Sequence, residues 1–516
     1  MKKQLLILIY IVLTFNADAQ TLSRTNVTGI SLRGSGTIIQ NEQVKGYYSF
    51  FSLEKKDKKN NNYQLSVYDE NLREINSVNL TRSNSYILLD GVFNGSAFCL
   101  LFHDFKNKRN ELISYDRSLS QLGTYTVENY TLSDLVLGGS QAYLIGIEQK
   151  GFLYYGMRED RYLYQTEFFD NSMNKIWSDM ASEDANIEVA SEAFQHDQYI
   201  GSLIVQKKSK SSKNIDVDLL VQNIADGKYL FRVPLVTDQY SVSFSNVYFD
   251  REKEQFIVFG EYYDRNQKEL KTESLGFISI SYDLEGKIVN EKVNSWATDI
   301  SIKTPVNEKG KFDGSNTSVL FHDIIRTNDG QFFAVGEQYK KAGSGTGMAL
   351  QALNILSAVF TGVYSTNPGS SVQMNIYNLV IFQFNPDFTI NKVHIFEKDK
   401  NVVLLPSGAG FTSPKQLSFY VKAVGGFDYK YTQESSGKET FVVTYINYNR
   451  EKGQKSTNML GSVIYTPEKT FVVDKMALNR SSSDYFISRA KEGYVLVTEY
   501  FKKEKQLDSR LEKLNY

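Results

Sequence analysis

Cysteine is nearly absent. The 516 residues contain one, Cys99, so no internal disulfide can form, and disulfide scaffolds, zinc fingers and haem attachment through paired cysteines are excluded. Histidine is scarce as well: His103, His196, His322 and His394 are the whole set of 4, which leaves few combinations for a metal site or a His-dependent catalytic centre. Proline (7) and tryptophan (2) are rare. An excess of either charge is also missing, since the formal net charge is −1, so the chain as a whole is no binder of polyanions. Apolar residues at 41% and charged residues at 23% exclude a disordered chain and a polytopic membrane protein. What the sequence has in quantity is tyrosine (34) and phenylalanine (33).

Residues 1–19 read as a signal peptide. Lys2 and Lys3 precede an apolar run from Leu5 to Phe15, and Ala17-Asp18-Ala19 has the small-x-small spacing of a cleavage site. The pattern resembles Gram-negative bacterial secretory signals, so the expectation is an exported protein, periplasmic or extracellular, that starts at Gln20 and has no transmembrane span after cleavage. No cysteine lies near the cut, and a lipid anchor is not expected.

The body of the chain repeats. Eight apolar, aromatic runs of strand length are placed at 46–53, 97–105, 142–148, 199–206, 255–261, 331–337, 440–447 and 494–499. Each of the first seven is followed by an alternating strand that closes on an aromatic residue, then Asp or Asn, then a tight turn: Tyr68-Asp69, Tyr115-Asp116, Phe169-Asp170, Tyr282-Asp283 and Phe384-Asn385 are the clear copies, with weaker ones at Asn223 and Tyr465. Asp and Asn suit such turns because their side chains bond backbone amides two residues on. A period of roughly fifty residues with about four strands per unit is that of a β-propeller. The chain resembles β-propeller proteins over nearly all of residues 20–516, and the Tyr-Asp hairpins with the export signal look like secreted bacterial propellers of an uncharacterised family. No Gly-His…Trp-Asp pair, kelch double glycine or sialidase box is present, so the resemblance implies a fold and no activity. The expected architecture is all-β, with eight four-stranded blades, or seven if a terminal unit is degenerate. The last unit lacks its final strand, which the stretch 24–40 is expected to supply.

Glu148, Glu261, Glu337 and Glu499 fall at equivalent places in four runs, which points to a repeated structural contact, the alternative being a carboxylate ring that binds a cation. The two Leu-Phe-His-Asp copies at His103 and His322 fall on different strand types, so no metal site is expected. Gly343-Ser344-Gly345-Thr346-Gly347 lacks the third glycine of a dinucleotide loop, there is no phosphate loop or nucleophile elbow, and no cofactor is expected.

The connections between second and third strands of the blades are each net positive. They carry Lys55, Lys56, Lys58 and Lys59; Lys106, Lys108 and Arg109; and Lys207, Lys208, Lys210 and Lys213. The turns at the other end of the strands hold Asp69, Glu70, Asp116, Asp170, Asp226, Asp283, Glu285 and Asp387, so a basic and an acidic face are expected. One such connection, 343–371, is the largest insertion, and its apolar Leu353, Leu356 and Phe360 recur at helical spacing beside a polar stripe. The expected function is non-catalytic binding of an anionic glycan, lipid headgroup or acidic protein surface. Nucleic acid is not expected, because the loops lack interleaved aromatic residues for base stacking. The alternatives are an extracellular glycan hydrolase or lyase with a site at the channel mouth, and a structural subunit of a cell-envelope assembly.

Overall fold

The computed structural model describes residues 21–515 apart from 41–42, 56, 129–141, 158–162, 183–186, 210–215, 266–272, 343–371, 406–412, 424, 450–456 and 479–483. The signal segment and the helical insertion expected at 343–371 lie outside the described residues. What is described is an all-β chain of eight antiparallel four-stranded blades, the architecture of a β-propeller. Blade 1 spans 27–83, blade 2 86–127, blade 3 143–180, blade 4 187–234, blade 5 240–295, blade 6 318–396, blade 7 429–477 and blade 8 484–513. Two compact units are distinguished: 1–82 with 482–515, holding blades 1 and 8, and 83–481, holding blades 2 to 7.

Burial follows strand position. The third strand of blade 5, Gly276–Tyr282, is buried at every residue, because Phe277 packs toward blade 6 and Ile278 and Ile280 toward blade 4, so both faces are covered. Fourth strands are more exposed, as Lys175–Met180 and Ile288–Ser295 are, since one face meets water. Seven of the eight apolar runs are second strands. The exception is 142–148: Tyr143–Ile147 is the first strand of blade 3, and the second strand is Gly151–Met157. Glu148 therefore sits in an exposed turn and is not equivalent to Glu261, Glu337 and Glu499.

The turns after the third strands form as their chemistry requires. Asp170 Oδ1 accepts from the amides of Ser172 (2.8 Å) and Asn174 (2.9 Å), and Asp283 Oδ1 does the same for Glu285 and Lys287, both at 2.9 Å. The left-handed residue that follows is glycine in blades 4 and 5 (Gly227, Gly286). It is Leu72, Leu119, Met173 and Phe388 in blades 1, 2, 3 and 6, where burial of the side chain offsets a backbone cost of about 1–2 kcal/mol.

The last blade is completed from the N-terminal side, as expected, though by a different segment. Thr21–Arg24 pairs with Gln506–Lys513, whereas Val27–Gln40 opens blade 1. Blade 6 gains a fifth strand: Gln373–Phe384 pairs with Ile390–Phe396 along its second half and with Asn401–Leu404 along its first. The following segment forms a helix, α1 (Pro414–Ala423), whose Leu417 and Val421 join Leu320, Met374, Val403 and Phe427 in a separate apolar cluster.

Candidate binding face and buried ion network

Within the unit that holds blades 2 to 7, contacts between neighbours gather the turns joining first and second strands. Gln149 N donates to Asn94 O (2.8 Å) between blades 2 and 3, and Arg251 pairs with Asp197 (2.6 Å) between blades 5 and 4. Arg326 pairs with Asp250 (3.2 Å) between blades 6 and 5, and Asn328 N donates to Lys438 O (3.0 Å) between blades 6 and 7. In an antiparallel meander the connections between second and third strands leave from the opposite end. Lys106, Lys108 and Lys208 are exposed there, and Lys207 is half-buried. In the other unit, Lys55, Lys58 and Lys59 are exposed in the equivalent connection of blade 1. Lys56, Lys210, Lys213, Leu353, Leu356 and Phe360 lie outside the described residues.

The expected segregation of charge needs correcting. Arg109 is half-buried and committed within blade 2, donating to the Tyr86 hydroxyl (3.0 Å) with Asp104 at 3.7 Å. Lys340 and Lys341 belong to a strand, Phe332–Ala342, and Lys340 Nζ donates to Ser315 O at 3.1 Å. The connections from one blade to the next leave from the same end and bring Glu128, Asp238, Glu308, Glu397 and Asp399 to it, so basic charge is local to particular blades. The acidic end is likewise tempered, since Arg73, Arg117, Lys228 and Lys287 share its turns, Lys228 lying 2.7 Å from Asp226.

The recurring glutamates each have their own cation. Glu499 pairs with Arg510 (2.6 Å), and Glu261 pairs with Lys415 of α1 while accepting from Ser274 Oγ (2.8 Å). Three of the four expected glutamates are thus paired within the chain, with a different partner in each blade rather than one repeated contact. Glu337 has the most elaborate setting. It lies 3.2 Å from Lys398 Nζ and 3.3 Å from His322 Nε2, and accepts from Tyr429 N at 2.9 Å. Lys398 also pairs with Asp428, which accepts from Asn401 Nδ2 (2.7 Å) and the Tyr448 hydroxyl (3.1 Å). Burial would raise Glu337, yet the Lys398 ammonium, then His322 and the Tyr429 amide, hold its carboxyl well below the usual range. Burial above all, with the charge of Glu337 adding to it and Lys398 opposing, pushes Asp428 up. Sequence reading singled out Glu337 and missed Lys398, Asp428 and α1. The helix had a signal in Ser413-Pro414, a cap and first-turn proline before Leu417 and Val421.

His103, His322 and His394 each have partners within the protein. His103 Nδ1 lies 2.8 Å from Asn110 Oδ1, His322 stacks on Tyr429 and His394 Nε2 lies 3.1 Å from Gln383 Oε1. Among the described residues no group of three or more His, Cys, Asp or Glu could hold a metal ion. Cys99 is buried, and burial raises its thiol. Burial also lowers His103, His322 and His394, the last to about 4. The unfolded chain protonates these imidazoles near pH 6.5, before the native state does, so each withdraws stability as pH falls from there through its lowered native value. Thermal unfolding followed between about pH 7 and pH 5 should therefore show a shallower acid slope in His394→Gln than in the wild type.

Among the described residues no helix is long and apolar enough to cross a membrane. Solved structures similar to this chain are propellers of unlike kinds. The WD40 domain of SCAP from fission yeast is 9% identical at a TM-score of 0.40, covering 96% of this chain and 99% of that one. A hypothetical selenium-binding protein from Sulfolobus tokodaii is 11% identical at 0.39, covering 88% and 91%. An ulvan lyase of a new polysaccharide lyase family is 11% identical at 0.38, covering 82% and 91%. No curated protein matches. A family model does, across residues 1–515, and the chain belongs to that family, the family of unknown function DUF6770.

Proposed function

We propose that this protein is an exported, non-catalytic binding protein that engages an anionic partner through the connections between second and third strands of particular blades. The observation that carries this reading is the exposure of Lys106, Lys108 and Lys208 at one end of blades 2 and 4, in a chain whose net charge is only −1. A low overall charge means that attraction to a polyanion has to come from such local concentrations, and it is then strongly screened by salt. The sequence of 343–371, which joins two strands of blade 6 at this same end, would add apolar anchorage through Leu353, Leu356 and Phe360. Against catalysis in this reading stands the pairing of the buried carboxylates Glu261, Glu337 and Glu499, each with a lysine or arginine of the chain itself.

The test is retention on immobilised dextran sulfate over a salt gradient, comparing wild type with Lys106→Glu/Lys108→Glu/Lys208→Glu. Wild type should be held at low salt and released as salt rises, and the variant should elute early at every salt concentration. Equal elution of the two proteins would refute the assignment of the binding surface.

A further inference from the structure

Two carboxylates and one ammonium meet where blade 6 adjoins blade 7. The side chains of Lys398 and Glu337 are 0% exposed and that of Asp428 is 2% exposed. Lys398 Nζ pairs with both acids, one from each blade: Glu337 from the second strand of blade 6, Asp428 from the residue that leads into the first strand of blade 7. A single positive charge balances one of them. The other is left as an excess negative charge out of reach of water, and two like charges that share a buried partner do not both ionise freely.

Around them, among the described residues, no second cation bonds either acid. His322, on the first strand of blade 6, is kept neutral by burial. Its neighbour Asp323 is acidic and accepts from the Tyr429 hydroxyl at 3.2 Å. Lys422 of α1 donates to Phe321 O at 3.1 Å. Lys430, two residues beyond Asp428, is the one further cation that acts on the pair: it is exposed as a residue, donates to Phe427 O at 3.4 Å and opposes the rise of Asp428, but less than burial and the charge of Glu337 drive it. From the second strand of blade 7, Tyr448 donates to Asp428, and Tyr445 is a neutral phenol whose ionisation burial suppresses.

We propose that Glu337, Lys398 and Asp428 form a proton-operated clasp between blades 6 and 7, in which the acid pair holds one proton when the clasp is tight and loses it when the clasp loosens. The proton belongs to Asp428, whose carboxyl burial and the charge of Glu337 push up, whereas the Lys398 ammonium, His322 and the Tyr429 amide hold Glu337 down. Both segments that would respond are tied to the cluster directly: Asn401, at the start of the fifth strand of blade 6, donates to Asp428, and Asp399 N donates to Asn447 of blade 7 at 2.8 Å. The sign follows from the site holding its proton to higher pH in the native state than in the unfolded chain. Its contribution to stability is therefore fully present below the carboxyl's unfolded value and is withdrawn as pH rises from there through the raised native value of Asp428.

The experiment compares full-length wild type with Asp428→Asn and Lys398→Met, all in a His322→Gln background, in thermal unfolding at several pH values between about 4 and 8, using the difference between proteins so that His103 and His394, remote from the cluster, cancel. Asp428→Asn is isosteric and cannot lose the proton, so its Tm should gain on the wild type progressively as pH rises. Lys398→Met strands both acids and should lose ground to the wild type more steeply over the same range. Hydrogen exchange corrected for intrinsic rates localises the effect: peptides covering 397–404 and 427–434 should lose protection with rising pH in wild type and not in Asp428→Asn. A pH-independent gap between wild type and Asp428→Asn, or matched exchange in both, would overturn the clasp.

Discussion

Lys398→Met should destabilise the native state by about 3–5 kcal/mol near neutral pH, measured by denaturant unfolding. The size of the effect comes from what remains after the substitution. Methionine fills much of the lysine's volume, so packing loss is small, but Glu337 and Asp428 keep their burial and lose the ammonium that pairs with both. An uncompensated buried carboxylate has to take up a proton or draw in water, and either costs more than the ion pair itself contributed. A compensating change tests this account. Lys398→Met/Asp428→Asn/Glu337→Gln carries no net charge in the cluster and should recover a substantial part of the loss. A triple variant as unstable as the single one would show that the lysine stem, not its charge, matters.

The fold was legible where the deciding physics is local. An Asp that caps its own turn needs only the residues two and four positions on, which is why Asp69, Asp116, Asp170 and Asp283 could be read one blade at a time. Continuous apolar runs identified second strands for a similar reason, since a strand covered on both faces has no polar side. That rule failed in blade 3, where the first and second strands, Tyr143–Ile147 and Gly151–Met157, are both apolar and only pairing tells them apart. The ion network was half legible. Recurrence drew attention to Glu261, Glu337 and Glu499, but their cations come from α1, from the approach to a fifth strand and from a third strand, and no spacing in the sequence relates them. Arg109 shows the converse error: it reads as one more basic residue of an exposed loop, and a tyrosine on the first strand of the same blade claims it.

Phe277→Ala should cost a further about 3–5 kcal/mol, at a site where no charge is involved. Phe277, on the third strand of blade 5, is 0% exposed, and its ring lies 4.6 Å from that of Trp296, 4.8 Å from Phe321 and 5.0 Å from Phe382, all edge to face. Trp296 belongs to the connection leaving blade 5, whereas Phe321 and Phe382 belong to blade 6, so one side chain joins two blades. Strand hydrogen bonds are made within each sheet, and what holds one sheet's face against the next is apolar contact, to which an aromatic ring of this burial contributes more than any other residue type. Truncation removes the ring's transfer energy and leaves a cavity that neighbouring strands, fixed by their own ladders, cannot close. Ile302→Ala serves as the control, since that residue is 75% exposed and its loss should stay within about 0.5 kcal/mol. If Phe277→Ala proved as mild as the control, stacking between blades 5 and 6 would have to rest on the contacts of their turns, and the reading of the abundant phenylalanine and tyrosine as the cement between sheets would fail with it.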